Sequence, residues 1–270
     1  TTERNGASWD IHMQDVEGTT TVLLETDSGA WSALDWSMDD TELLVDRYVS
    51  VAESYAYQLD AATGKLTPLL GGTIKAAIGD AQYSRRRPAE DEPEGVYFTS
   101  DMGAEFMRLH HLDRSTGRIR VVTGDVPWDI ESFRVSPTGR YVAYVVNEGG
   151  VSRLRVLRPD RDSLAALPEL PAGRISGLQF KSDDSELGFT LSQATSPGDV
   201  YSVDLERRRV TRWTTSEVGG LDPAGFASPR IIQYPTFDTD ADGNTREIPA
   251  VYYRPDGPGP HPVVVSIHGG

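Results

Sequence analysis

The sequence has no cysteine, which excludes disulfides, thiolate nucleophiles and cysteine metal ligands together. Their absence fits a reducing compartment, and a cytoplasmic location is expected. Lysine is nearly as scarce: of 26 basic residues only Lys65, Lys75 and Lys181 are lysines. With 41 acidic residues the formal charge is −15. The clustered positive charge that phosphate contacts require is missing, so nucleic acid is not expected as a partner. No stretch approaches the roughly 18 apolar residues of a membrane span, and residues 1–20 lack a basic-then-apolar leader. No membrane partner is therefore expected, and oligomeric state is open. Hydrophobic residues still make up 38% of 270 positions, enough for a substantial core.

What the chain does contain is a repeat. Asp35-Trp-Ser-Met-Asp-Asp-Thr-Glu-Leu-Leu-Val45, Arg134-Val-Ser-Pro-Thr-Gly-Arg-Tyr-Val-Ala-Tyr144 and Gln179-Phe-Lys-Ser-Asp-Asp-Ser-Glu-Leu-Gly-Phe189 share one pattern. Each is an apolar strand end, a turn rich in Asp, Gly or Thr, and a second apolar strand. A fourth copy runs from Gln82-Tyr-Ser-Arg85 to Gly95-Val-Tyr-Phe-Thr-Ser100, its turn swollen by residues 85–94. With Trp36, Tyr83, Val135 and Phe180 as anchors, the period is roughly fifty residues.

Second halves repeat as well. Ser54–Asp60 leads to Thr63-Gly-Lys-Leu-Thr-Pro-Leu69, Phe106–Asp113 to Ser115-Thr-Gly-Arg-Ile-Arg-Val121, and Asp199–Leu205 to Arg209-Val-Thr-Arg-Trp213. Each reads as two strands joined by an Asp-bearing turn. Four strands per unit is the pattern of a β-propeller blade. Residues 1–30 read as the back half of one more blade, with Trp9–Asp15 and Thr20–Leu24 as its strands and no matching front half. The expected fold is thus mostly β, a propeller of about four and a half blades over 1–221. A proline- and glycine-broken linker follows at 222–230, and a separate unit at 231–270.

That last unit has its own order. Ile231–Phe237 and Ile248–Tyr253 predict two antiparallel strands around a turn-rich segment. Pro255-Asp-Gly-Pro-Gly-Pro260 breaks the chain, and Val263–Ile267 predicts a short strand buried on both faces. His268-Gly-Gly270 follows at once. A Gly-Gly at such a place lets backbone N–H groups approach a substrate carbonyl where a Cβ would obstruct.

A propeller followed by Tyr234-Pro-Thr-Phe-Asp238, Ile248–Pro255 and Pro260–Gly270 resembles the prolyl oligopeptidase family of serine peptidases. The acylaminoacyl-peptidase branch is the most similar. The resemblance implies the truncated start of an α/β-hydrolase domain at 231–270, with Gly269 and Gly270 in the oxyanion-hole loop and His268 as a motif residue, not a triad base. It implies short peptides as substrates, with the propeller limiting access, and no cofactor. No G-x-S-x-G occurs in the 270 residues, so the family's catalytic Ser, Asp and His match nothing here. On this reading the chain is a fragment, inactive by itself. An esterase or acyltransferase uses the same loop, and a non-catalytic binding propeller is the alternative from another class.

Other motifs carry less. Asp238-Thr-Asp-Ala-Asp-Gly243 matches the start of a calcium loop, but its twelfth position is Pro249, so a hairpin turn is expected. Arg85-Arg-Arg87 is read as a solvated charged loop beside Glu90, Asp91, Glu92 and Glu94. His110 and His111 are adjacent on a strand and face opposite ways, so no metal site is expected.

Overall fold

The computed structural model describes residues 2, 4, 6–70, 75–86, 94–239 and 243–267. Among them are four four-stranded antiparallel sheets and two two-stranded ones. The first blade comprises β3 (Ala30–Trp36), β4 (Glu42–Ser50), β5 (Glu53–Asp60) and β6 (Leu66–Pro68), after a two-stranded piece of β1 (Ile11–Gln14) and β2 (Thr20–Leu24). The second comprises β7 (Ile78–Tyr83), β8 (Val96–Ser100), β9 (Arg108–Asp113) and β10 (Arg118–Val121). The third comprises β11 (Ile130–Val135), β12 (Val142–Glu148), β13 (Val151–Arg158) and β14 (Ser163–Leu164). The fourth comprises β15 (Arg174–Phe180), β16 (Glu186–Gln193), β17 (Ser196–Asp204) and β18 (Arg209–Arg212). Each sheet keeps its strands in chain order, and the first strands β3, β7, β11 and β15 touch in succession. That is a propeller arrangement, with the first strands innermost.

The recurring turn motif has one backbone geometry. Ser37 N donates to Glu42 O, Ser136 N to Tyr141 O, and Lys181 N to Glu186 O. Within these turns Asp40 N donates to Ser37 O, Gly139 N to Ser136 O, and Asp184 N to Lys181 O. The third turn residue is left-handed in all three, with φ of 56° at Asp40, 68° at Gly139 and 59° at Asp184. Only glycine or a short Asp or Asn side chain adopts that conformation cheaply. In the second blade Ser84 N donates to Gly95 O across the longer insertion.

The outer hairpins use aspartate instead. Asp60, Asp113 and Asp204 each accept two or more backbone N–H groups from the turn that follows, through a single Oδ1. In β1–β2, Asp15 Oδ1 accepts from Thr19 N at 2.7 Å. The third blade has an outer hairpin without this signal: Arg161 N donates to Arg158 O, and Asp162 is left-handed.

Core residues lie between blades. Leu44 packs with Ala81, Tyr83 and Val96; Tyr97 with Val135 and Val142; and Tyr141 and Ala143 with Phe180 and Leu187. Each blade is apolar on the face it offers its neighbour, so no sheet can bury its core alone.

Beyond β18, residues 213–229 hold one 3-10 turn at Pro223–Gly225, and then β19 (Arg230–Thr239) pairs with β20 (Thr245–Tyr252). The two strands expected here are therefore present. The third is not. Residues 263–267 form no strand, and Val263, Val264, Val265 and Ile267 are 76–92% exposed. A strand buried on both faces needs hydrogen-bonding edges beside it, and no described strand lies alongside.

Candidate functional site

In every blade the residue before the anchor of the inner strand is polar: Asp35, Gln82, Arg134 and Gln179. The first three reach across to the next inner strand. Asp35 Oδ2 accepts from Tyr83 N at 2.8 Å. Gln82 Oε1 accepts from Val135 N at 3.0 Å, and its Nε2 donates to Phe133 O at 3.1 Å. Arg134 Nε donates to Leu178 O at 3.3 Å. A polar belt thus fastens the inner strands to one another.

Three carboxyls with raised pKa lie on the first two blades. Asp35 also takes Arg85 Nη2 at 2.5 Å, while Arg85 Nη1 donates to Trp36 O at 2.6 Å. Asp80 accepts from its neighbour's amide, Ala81 N, and from Gln82 Nε2. Asp46 sits on β4 with Ser32 as its cross-strand partner, and its Oδ1 is buried without a hydrogen bond. Burial raises the pKa of all three carboxyls, outweighing Arg85 at Asp35 and the Gln82 hydrogen bond at Asp80. At Asp46 burial again dominates, outweighing the hydrogen bond of the Ser32 side chain, and the charge of Asp80 adds to it. Carboxyls with raised pKa values recur at functional sites and also in structural hydrogen-bond networks. They can bind and orient polar groups of a ligand, but they include no activated nucleophile.

The two ends of the propeller differ. The turns between first and second strands, and between third and fourth, lie at one end and are polar. The turns between second and third strands lie at the other. There Tyr48, Val49 and Val51 are 45–77% exposed, and the β19–β20 hairpin sits on this end. Pro249 Cβ lies 3.9 Å from a Cβ built at Gly149, and Ile231 Cδ1 lies 3.8 Å from one at Gly150. Arg246 Nη1 donates to Glu105 Oε1 at 2.5 Å. The hairpin's other face presents Ile232, Tyr234, Ile248 and Tyr252 to solvent.

His268, Gly269 and Gly270 lie outside the described residues, so the oxyanion-loop assignment has no geometry here. Arg87, Glu90, Asp91 and Glu92 lie outside them too. Arg85 is not the solvated residue expected from its loop: its salt bridge to Asp35 draws it under the first blade. His110 and His111 do face opposite ways. His110 stacks on Phe98 with centroids 5.0 Å apart, and His111 lies against Tyr97 at 4.6 Å. Burial lowers the pKa of both. At the calcium-like segment, Thr239 pairs with Thr245 in hairpin register, and residues 240–242 lie outside the described set. The belt residues escaped the sequence reading, although their signal was present as one polar position repeated before each anchor.

No family model matches the chain, and no curated protein matches it. Solved structures do. A prolyl endopeptidase structure aligns with TM-score 0.65 and 16% identity over 91% of this chain and 35% of that one. Puromycin hydrolase aligns with TM-score 0.69 and 17% identity over 88% of this chain and 36% of that one. TolB from Acinetobacter baumannii aligns with TM-score 0.60 and 17% identity over 89% of this chain and 59% of that one. At such identities the likeness establishes the fold. The chain spans about a third of the length of the two hydrolases.

Proposed function

We propose that this chain is the propeller part of a serine hydrolase that cleaves short peptides, with the propeller limiting which substrates enter. In this reading β19–β20 and the segment through His268-Gly269-Gly270 open an α/β-hydrolase domain, and Gly269 and Gly270 supply oxyanion-hole N–H groups. The observation that carries it is the β19–β20 hairpin. It lies against Gly149 and Gly150, at the end of the propeller that carries the turns between second and third strands, and leaves its outer face uncovered, as the first strands of a catalytic sheet would. Likeness in fold to a prolyl endopeptidase and to puromycin hydrolase supports the same reading.

The rival reading is a non-catalytic binding propeller, favoured by the likeness to TolB. An esterase or acyltransferase shares the oxyanion loop. The gene's reading frame beyond Gly270 separates them. The peptidase reading requires a G-x-S-x-G and then Asp and His in that order. A polypeptide that includes them is expected to hydrolyse short peptide substrates and to lose that activity on Ser→Ala. Hydrolysis of simple esters without peptides points to the esterase. A frame with no serine motif overturns the catalytic proposal and leaves the binding module.

A further inference from the structure

His110 and His111 take no part in the turns of the repeat or in the proposed chemistry. They sit side by side on β9, the third strand of the second blade, with β8 on one edge and β10 on the other. Adjacent strand residues face opposite ways, so each ring enters a different seam between blades. Phe98, on which His110 stacks, belongs to the apolar cluster shared with Leu44 of the first blade. Tyr97, against which His111 lies, belongs to the cluster shared with Val135 and Val142 of the third. The second blade thus carries one imidazole in each of its two seams.

Neither place suits a second proton. His110 is fully buried, and its Nδ1 donates to Arg108 O at 3.0 Å, since a carbonyl can only accept. Nε2 is then a bare acceptor, buried, with no described group bonded to it. Protonation would leave an unpaired N–H and a positive charge in an apolar seam. Burial is the main cause of the lowered pKa of His110, and the like charge of Arg108 adds to it. Carboxyls on this seam bring no relief. Glu42 is held by Arg114 Nη2 at 2.9 Å and Glu94 by Met38 N at 2.7 Å, and neither they nor Asp46 and Asp80 act on His110.

His111 is confined by sterics and by charge. A Cβ built at Gly95 would stand 2.5 Å from its Nε2, so the ring rests directly on that glycine. Arg120, its cross-strand partner on β10, adds to the effect of burial and outweighs Asp113. Asp113 Oδ1 is occupied by Ser115 N, and Arg120 Nη1 donates to Asp162 Oδ1 of the third blade at 3.0 Å. Across this seam Arg153 and Arg155 are both held by Glu148. The seam between third and fourth blades, built from Tyr141, Ala143, Phe180 and Leu187, holds no histidine. His12, His261 and His268 lie in β1 and beyond β20.

We propose that the second blade is an acid-operated element: protonation of His110 and His111 loosens it from the first and third blades, while the seam between third and fourth stays closed. Folding favours the neutral rings, so their contribution is fully present above the ordinary histidine value of about 6.5 and is lost as pH falls below it. The loop leading into β9 holds Glu105, the partner of Arg246 in β20, so movement of this blade reaches the hairpin as well.

Amide exchange of the full chain, corrected for the intrinsic effect of pH, tests this at about pH 7.5 and about pH 5. In acid, protection of β8 and β9, and of the facing β4 and β12, is expected to fall about tenfold or more relative to β16 and β17. His110→Leu should restore the seam with the first blade alone, and His111→Leu the seam with the third alone. The double variant should exchange alike at both pH values. Asp46 titrates in the opposite sense but is common to all four proteins, so it cancels in the comparison. An equal acid effect in parent and double variant overturns the proposal, as does a loss spread evenly over all four blades. If a variant does not fold, the Cε1–H resonances of the parent decide: His110 and His111 must titrate below about 6.5, and titration at or above that value overturns the proposal.

Discussion

Asp46, on the second strand of the first blade, shows what a buried carboxyl costs. Its Oδ1 is buried without a partner, and burial together with the charge of Asp80 raises its pKa. A carboxyl whose folded pKa lies above its unfolded value favours the folded state most at low pH, and that contribution is lost as pH rises through the folded pKa. Above that pKa the ionised group therefore works against folding. Asp46→Asn keeps the shape and removes the charge. The variant is expected to melt about 2 °C or more above the parent at pH 7, with the difference shrinking toward pH 4. Melting curves of both proteins from pH 4 to 7 check this; an unchanged or lower melting point at pH 7 would refute it. The prediction concerns the first two blades, where Asp35 and Asp80 share the same raised state.

Among elements, the turn between first and second strands decides blade geometry, and its glycine is held by more than backbone angle. Gly139 has φ of 68°, and a Cβ there would stand 2.4 Å from Ser84 O in the neighbouring blade. Gly117, in an outer hairpin, has φ of 71° and open space around it. Gly117→Ala is expected to cost only the left-handed strain, about 1–2 kcal/mol, whereas Gly139→Ala must also displace a backbone carbonyl and should cost clearly more. Urea unfolding of the two variants measures the difference, and equal losses would show that Ser84 moves aside freely. The same comparison explains what the sequence made legible. Turns at 37–41, 136–141 and 181–186 announce themselves because left-handed residues and paired polar side chains narrow the choice of amino acid. The third blade's outer hairpin was invisible because Arg158 and Asp162 replace the Asp-and-Gly signal, and the turn closes with Arg161 N on Arg158 O, where the other hairpins bond Gly64 N to Asp60 O and Gly117 N to Asp113 O. Arg85 was misread because its partner Asp35 lies fifty residues away, and only the fold brings the two together. Val263–Ile267 was read as a strand from its composition, which specifies an apolar environment but cannot supply the neighbouring edges a strand requires.

For the whole molecule, two opposing features govern solution behaviour. A net charge of −15 keeps copies apart at low ionic strength. Val263, Val264, Val265 and Ile267 together form an exposed, uncharged β-branched run with unpaired backbone groups, which is a template for pairing with a second copy. Salt screens the first effect and leaves the second intact, since the Debye length contracts to a few ångströms near 1 M. The chain is therefore expected to be monomeric in dilute buffer and to associate as sodium chloride is raised to about 0.5 M. Placing a charge inside the run should prevent this. Val264→Asp adds negative charge, breaks the apolar run and removes no packed side chain, because Val264 is 92% exposed. Light scattering across the salt series distinguishes the outcomes. If Val264→Asp stays monomeric where the parent associates, the run is the sticky element. If both associate alike, the contact lies elsewhere, with the uncovered face of β19–β20, bearing Ile232, Tyr234 and Ile248, as the next surface to charge. Under the peptidase reading both surfaces belong beneath one catalytic sheet, so a longer polypeptide that includes that sheet should resist salt-induced association without any substitution.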